Sequence, residues 1–373
     1  MGLLTIKTSD LQGMVNKVIK GAGNSKFNTL TSLINVVVEN GKMSLTTTDS
    51  NNYFTIYGDV NCSESMTFTV GVEKFSKLVS KMTTENITIK VSEDLITVTG
   101  NGTYKIPIQL DVDGTQIKYP KHEINDPEES GVIKTSVIKN IILHNKPSLA
   151  VSMEKPCLTG YLCTKDAVLS GDQYNICANK VKTFDKTLLV APIVFDLLSI
   201  SSEEDISYKV SGNTAIFETP TMKLYAVMMS DADQYPVNAI EEIVETELTS
   251  NCTLPKTTIL NILDRLSLFI NDDDEFGVYF TFTKDGLKIE SMRDAGIESV
   301  SYQGSENFQD FTCFASVDSL KKQFGARVEE SVKLYYGDDN FLVIKDNAVT
   351  QVSALLSDPR NEEETESGDD IPF

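Results

Sequence analysis

The chain has 373 residues, 40% of them hydrophobic and 23% charged, with a formal net charge of −21. That length has room for two or three cores, and the make-up is that of a soluble globular protein, with no apolar run long enough to cross a bilayer. So acidic a balance repels nucleic acid unless the positive charge is gathered on one surface, so the placement of the cations decides the question.

In chain order, Ser9 reads as an N-cap for a helix with Leu11, Met14, Val15, Val18 and Ile19 at helical spacing, ended by Gly21 and Gly23. Residues 33–39 read as a buried strand, and Asn40-Gly41 as a hairpin turn. Strands are predicted near 43–48, 53–60 and 66–70, a second helix over about 71–82, then strands at 86–91 and 94–99 and an edge strand over Tyr104–Leu110. After the polar stretch Tyr119–Ser130 the pattern restarts. A helix over about 135–145 carries Val137, Ile138, Ile141 and Ile142, and another opens at Pro192, a favoured first helical position. An acidic linker, Glu241–Glu247, leads to a third round. There one helix starts near Pro255 and buries Ile259, Ile262, Leu263 and Leu266, and another follows Ser316.

These rounds are copies of one pattern. An amphipathic helix (Val72–Val79, Pro192–Leu198, Val317–Phe324) precedes an acidic turn and a strand starting at Glu85, Glu204 and Glu330. The turns lie 119 and 126 residues apart, the size of a whole small domain and far longer than a solenoid unit. The fold class is α+β: three tandem domains, each of two helices packed on antiparallel sheets, over 1–121, 122–243 and 244–357, with a disordered acidic tail expected over 358–373.

Catalytic and metal chemistry find little support. The six cysteines form no Cys-x-x-Cys pair and there are two histidines, His122 and His144, so neither a zinc site nor a disulfide framework is expected, and no cofactor. Buried free thiols in a reducing cytoplasm fit better. Carboxylates cluster in turns such as Asn271–Glu275, as solvated loop charge does. The N-terminus lacks a secretory signal, and Ile6 breaks the match of Met1-Gly2 to a myristoylation site. The cations, in contrast, recur on helices: Lys17 and Lys20, then Lys74, Lys77 and Lys81 on one face, Lys139 and Lys146, Lys256 and Arg265, and Lys321, Lys322 and Arg327. Five of six predicted helices carry them. A surface that tracks phosphates without reading bases fits this pattern.

Three acidic α+β copies with basic helices resemble the bacterial-type DNA polymerase sliding clamp, in a divergent form such as a phage would encode. The local likenesses are Leu45-Thr-Thr-Thr-Asp49, Leu158-Thr-Gly-Tyr-Leu162 with Ser170-Gly-Asp172, Gln234-Tyr-Pro236 and Val352-Ser-Ala-Leu-Leu356. The resemblance implies half of a ring. Two chains would close head to tail around duplex DNA, with the helices lining the hole, and the protein would tether a polymerase by topology and catalyse nothing. It further implies a homodimer contact of Ile106 and Ile108 with Leu268 and Phe269. A cleft for peptides of polymerase and clamp loader would hold Leu158, Ile176, Leu355 and Leu356. The family's Gly-His-Arg-Leu run is Gln173-Tyr-Asn-Ile176 here, so the cleft is expected to prefer a different peptide.

The tail holds seven acids and one arginine, and it ends in Asp369, Asp370, Ile371, Pro372 and Phe373. This end resembles the C-terminal tip of bacterial single-stranded-DNA-binding proteins, which implies an arm that recruits replication or repair partners. The alternative function is therefore a single-stranded-DNA-binding or recombination accessory protein. The missing interleaving of basic and aromatic residues and the threefold repeat count against it. A β-rich enzyme acting on sugars is disfavoured by the absence of Trp.

Overall fold

The computed structural model describes residues 2–25, 27–62, 64–270, 277–292, 295–304, 308–337 and 340–360. Its α-helices are α1 (Thr8–Val18), α2 (Val72–Ser80), α3 (Thr135–Asn145), α4 (Pro192–Leu198), α5 (Val237–Glu245), α6 (Lys256–Leu266) and α7 (Val317–Gly325). Apart from α5, each stretch of the chain repeats one order: a strand, a helix, a run of strands, a second helix and three closing strands. No described helix is long and apolar enough to cross a membrane.

Backbone contacts gather the chain into two compact units. The first comprises the residues up to Lys139 together with Ile193–Ser230, the second Asn140–Pro192 together with Asp231 onward. They cut through the middle repeat because strands pair across repeat boundaries. In the first unit, Met222–Val227 pairs antiparallel with Tyr53–Asp59, placing Leu224 opposite Phe54 and building an eight-stranded sheet. In the second, Asn175–Asn179 pairs with Val349–Ala354, placing Ile176 opposite Val352 in a nine-stranded sheet. A five-stranded sheet completes the first unit, with Thr103–Pro107 at its edge. A four-stranded sheet completes the second, with Ile297–Val300 at its edge.

Local chemistry accounts for most elements. Asn40 and Gly41 have φ of 52° and 77°, the pair of positive values that a tight turn between Leu33–Glu39 and Lys42–Thr48 requires. On α2, Phe75 and Val79 are buried while Lys74 and Lys77 face water. Burial of such side chains stabilises the helix by roughly 1.5–3 kcal/mol each. Ser316 caps α7 by accepting the Ser319 N–H. In the second unit α6 and α7 pack together over Phe280 and Phe282, and Phe282 stacks on Tyr336 at 4.1 Å. The connection after the first repeat is fastened to the eight-stranded sheet: the Tyr119 hydroxyl donates to the Leu30 and Leu33 carbonyls, and His122 stacks on Tyr225 at 3.8 Å.

Three expectations need correction. Ser9 is not the cap of α1, which starts two residues earlier than that cap implies, at Thr8 after Lys7, and has no side-chain cap; the Ser9 hydroxyl donates to Asp10 instead. Glu241–Glu247 is not a plain linker. Pro236, Val237, Ile240, Ile243 and Val244 supply an apolar stripe, and α5 forms with its glutamates outward. The tail does not come free at 358. Asp358 accepts a hydrogen bond from the Tyr279 hydroxyl at 2.9 Å, and Arg360 pairs with Asp358 and lies 3.6 Å over the Tyr279 ring. The tip Asp369–Phe373 and the acidic turn Asn271–Glu275 lie outside the described residues.

Candidate functional site

The basic helices come in packed pairs. In the first unit α1 packs against α2. This pair and the residues just after each helix carry Lys17, Lys20, Lys74, Lys77 and Lys81 against two acids, Asp10 and Glu73. In the second unit α6 packs against α7, with Lys256, Arg265, Lys321 and Lys322 against Asp264 and Asp318. Both pairs are thus locally positive on a chain of net charge −21. Lys20, Lys74, Lys81, Lys139 and Lys322 are exposed and without an ion pair among the described residues, and Lys17 is half-buried. Lys146 is also exposed, just beyond α3.

Other cations are already engaged. Lys77 pairs with Glu73 at 2.6 Å, one turn away, and its hydrogen bond holds the Glu73 carboxyl below the usual range. Arg265 makes a two-point contact with Glu298, and Lys321 reaches Asp264 across the α6–α7 contact. Lys256 donates to the Arg327 carbonyl at 2.8 Å.

Arg327 does not belong to the exposed set. It is 3% exposed and donates to Gln351 Oε1, Asp346 Oδ2 and the Ile344 carbonyl at 2.6–2.8 Å. Its charge holds sheet and helix end together from inside. The same buried layer contains His144, whose carbonyl accepts from Gln351 and whose imidazole burial pushes below the ordinary histidine range.

Of the residues assigned to a chain–chain contact, Leu268 and Phe269 are 79% and 48% exposed. Ile106 and Ile108 are corrected to core, 4% and 7% exposed. Ile106 sits opposite Ile96 in the five-stranded sheet, so its own neighbours cover it. Tyr104, 41% exposed on the same edge strand, is the large apolar side chain offered to solvent there.

The second unit holds an apolar groove. Leu158, Ile176, Pro236, Ala239, Ile240 and Ile243 line a cavity of about 310 Å³. A neighbouring cavity of about 300 Å³ shares Leu158 and Lys155 and adds Val151 and Tyr174. The structure thus brings Leu158 and Ile176 together, while Leu355 and Leu356, both half-buried, are not among the residues lining either cavity. Leu355 packs on the core beneath α6 and α7, and the N–H groups of Leu355 and Leu356 donate to the Asn340 and Phe314 carbonyls. Helix α5 supplies a wall that the sequence reading did not include. Its Ile240 and Ile243 were missed because interleaved glutamates masked the helical spacing.

No group of His, Cys, Asp and Glu among the described residues is placed to hold a metal. Burial pushes the thiols of Cys163, Cys177, Cys252 and Cys313 up to about 12, far from the reactive thiolate.

No family model matches the chain, and no curated protein sequence matches it. Solved structures do, almost end to end. DNA polymerase III subunit beta from Borrelia burgdorferi superposes with a TM-score of 0.84 at 15% identity, over 95% of this chain and 99% of that one. The DNA polymerase sliding clamp from Bacillus subtilis gives 0.81 at 16% identity, over 96% and 99%. The DNA polymerase III beta chain from Streptococcus pneumoniae gives 0.84 at 13% identity, over 96% and 100%. The repeated element order, the strand pairing across repeats and this likeness agree: the chain has the fold of the bacterial DNA polymerase sliding clamp.

Proposed function

We propose that this chain is a DNA sliding clamp and no enzyme. Two copies, each with clamp-type domains over 1–121, 122–243 and 244–357, close head to tail around duplex DNA and keep a replicative polymerase on its template. The observation that carries this reading is the near end-to-end likeness to clamp structures. The locally positive helix pairs support it. A clamp needs weak phosphate contacts that hold without binding one register, and exposed lysines on an otherwise acidic chain supply them.

The chains would meet through edges already described. The strand Thr103–Pro107, with exposed Tyr104, is one. The exposed Leu268 and Phe269 near the edge strand Ile297–Val300 are the other. The groove around Leu158 and Ile176 would take peptide segments of the polymerase and the clamp loader in turn. The tail tip Asp369–Phe373 would serve as a separate arm toward a basic-rimmed pocket on another replication protein, as its resemblance implies. Such work belongs to the bacterial cytoplasm, or to the host's if a phage encodes the chain.

The test is retention on circular against linear duplex, with the particle's mass measured by light scattering. A clamp stays on circles once loaded and runs off free ends, and it has the mass of two chains. Equal retention on both forms, or a monomer at working concentration, would overturn the proposal.

A further inference from the structure

We infer that the groove selects an apolar peptide segment flanked by basic residues, and that its acidic rim keeps the chain's own tail out of it. This rests on the groove being the docking site proposed above.

The floor and walls are apolar, so a partner must bring apolar anchors. Specificity then comes from the charges around the rim. Lys155 is the single cation among the residues lining the two cavities, against Asp172 and Glu154. The Asp172 carboxylate accepts from the backbone N–H of Tyr174 and Asn175 at 2.7 and 2.6 Å, which fixes its position beside the groove. Helix α5, which forms one wall, adds the exposed Glu242, which at 100° per residue comes up beside Ala239 on the groove's flank, while Glu241 and Glu245 fall on the far side of the helix. None of Asp172, Glu154 and Glu242 has an ion pair among the described residues. The rim therefore carries three uncompensated acids and one cation.

The tail puts this rim in context. The strand that leads to the C-terminus passes the groove's edge, where the Ala354 N–H donates to the Tyr174 carbonyl at 2.7 Å. Thirteen residues follow Arg360, a reach of roughly 43 Å when extended, and they end in Ile371 and Phe373. Length and apolar content would allow the tip to fold back into the groove. Charge opposes it: six acids and no cation follow Arg360, against the three carboxylates of the rim. The partner that fits the same groove carries lysine or arginine on either side of its apolar anchors. Several weak, exposed contacts at the strength of surface ion pairs add up to about tenfold in affinity.

The experiment uses two fluorescent peptides with the same Leu-Ala-Leu-Phe core, one flanked by lysines and one by glutamates. Binding is followed by anisotropy on the intact chain and on a chain ending at Arg360. The lysine-flanked peptide is expected to bind about tenfold tighter. High salt should shrink that margin, and the combined Glu154→Gln and Glu242→Gln variant should remove most of it. The intact and truncated chains should bind it alike. Equal or tighter binding of the glutamate-flanked peptide overturns the inference, and so does a gain of affinity on truncation, which would mean that the tail occupies the groove. Binding of neither peptide overturns it as well. Retention on circular DNA is scored separately, so failure here is distinguishable from failure of the clamp reading.

Discussion

Replacing Arg327 with methionine separates two accounts of one residue. By sequence, Arg327 is one more cation near a basic helix; in the structure it is buried and tied into the nine-stranded sheet. Methionine keeps most of the volume and removes the donors. Asp346 tolerates the loss: its side chain is 41% exposed, and it still accepts the Ala348 and Val349 N–H groups. Gln351 Oε1 and the Ile344 carbonyl do not, because Gln351 is fully buried and Ile344 is 2% exposed. Each stranded buried acceptor costs about 1–3 kcal/mol, so a destabilisation of about 3 kcal/mol is expected. The assay is urea unfolding followed by circular dichroism, with Lys322→Met as the exposed control, expected within about 0.5 kcal/mol of the parent. Duplex retention of the Arg327→Met protein below its unfolding transition should be unchanged. A loss of stability below about 1 kcal/mol together with weakened DNA retention would refute the buried assignment.

The combined Lys74→Glu, Lys77→Glu and Lys81→Glu variant should stay folded, since these side chains are exposed, and should lose retention on circular duplex; unchanged retention would make that face merely solvated. Leu268→Asp with Phe269→Asp should yield monomers by light scattering without unfolding, whereas Ile106→Asp should unfold its sheet because that side chain is core. Ile176→Ala should weaken binding of the lysine-flanked peptide by about 1–2 kcal/mol, and normal affinity would place the anchor elsewhere. His144 is held below the ordinary value of about 6.5 by burial first and by Arg327 second. The unfolded chain therefore takes up a proton before the folded one. Its contribution to stability is complete above that value and is lost as pH falls below it. With two histidines in the chain, an NMR titration with one assigned by substitution reads this directly; a His144 midpoint above 6.5 would contradict it.

The pattern-bearing parts of the fold were legible in the sequence. Helical spacing located α1, α2, α3 and α6 to within a few residues, and Asn40-Gly41 located its turn, because each is set by neighbours in the chain. What failed depends on partners distant in sequence. Arg327 is read as a surface cation until Gln351 and the Ile344 carbonyl are seen beside it. Ile106 looks free on an edge strand until its sheet partner Ile96 covers it. Helix α5 was legible and was missed: its apolar spacing is regular, but a run of glutamates reads first as a linker.

Net charge was the least informative quantity, for a physical reason. A charge acts strongly over roughly 8–10 Å in physiological salt, so a total of −21 says little about any one face. What counts is the local excess: five cations to two acids around α1 and α2, one cation to three acids around the groove. The apolar pattern sets which face of each helix is hidden and leaves the outward face free to vary in sign. Helices α2 and α5 each bury one stripe, and they differ in carrying lysine or glutamate on the other. The same freedom explains how 13–16% identity can accompany almost complete structural overlap. The fold requires the buried stripe and leaves the outward residues free to be exchanged.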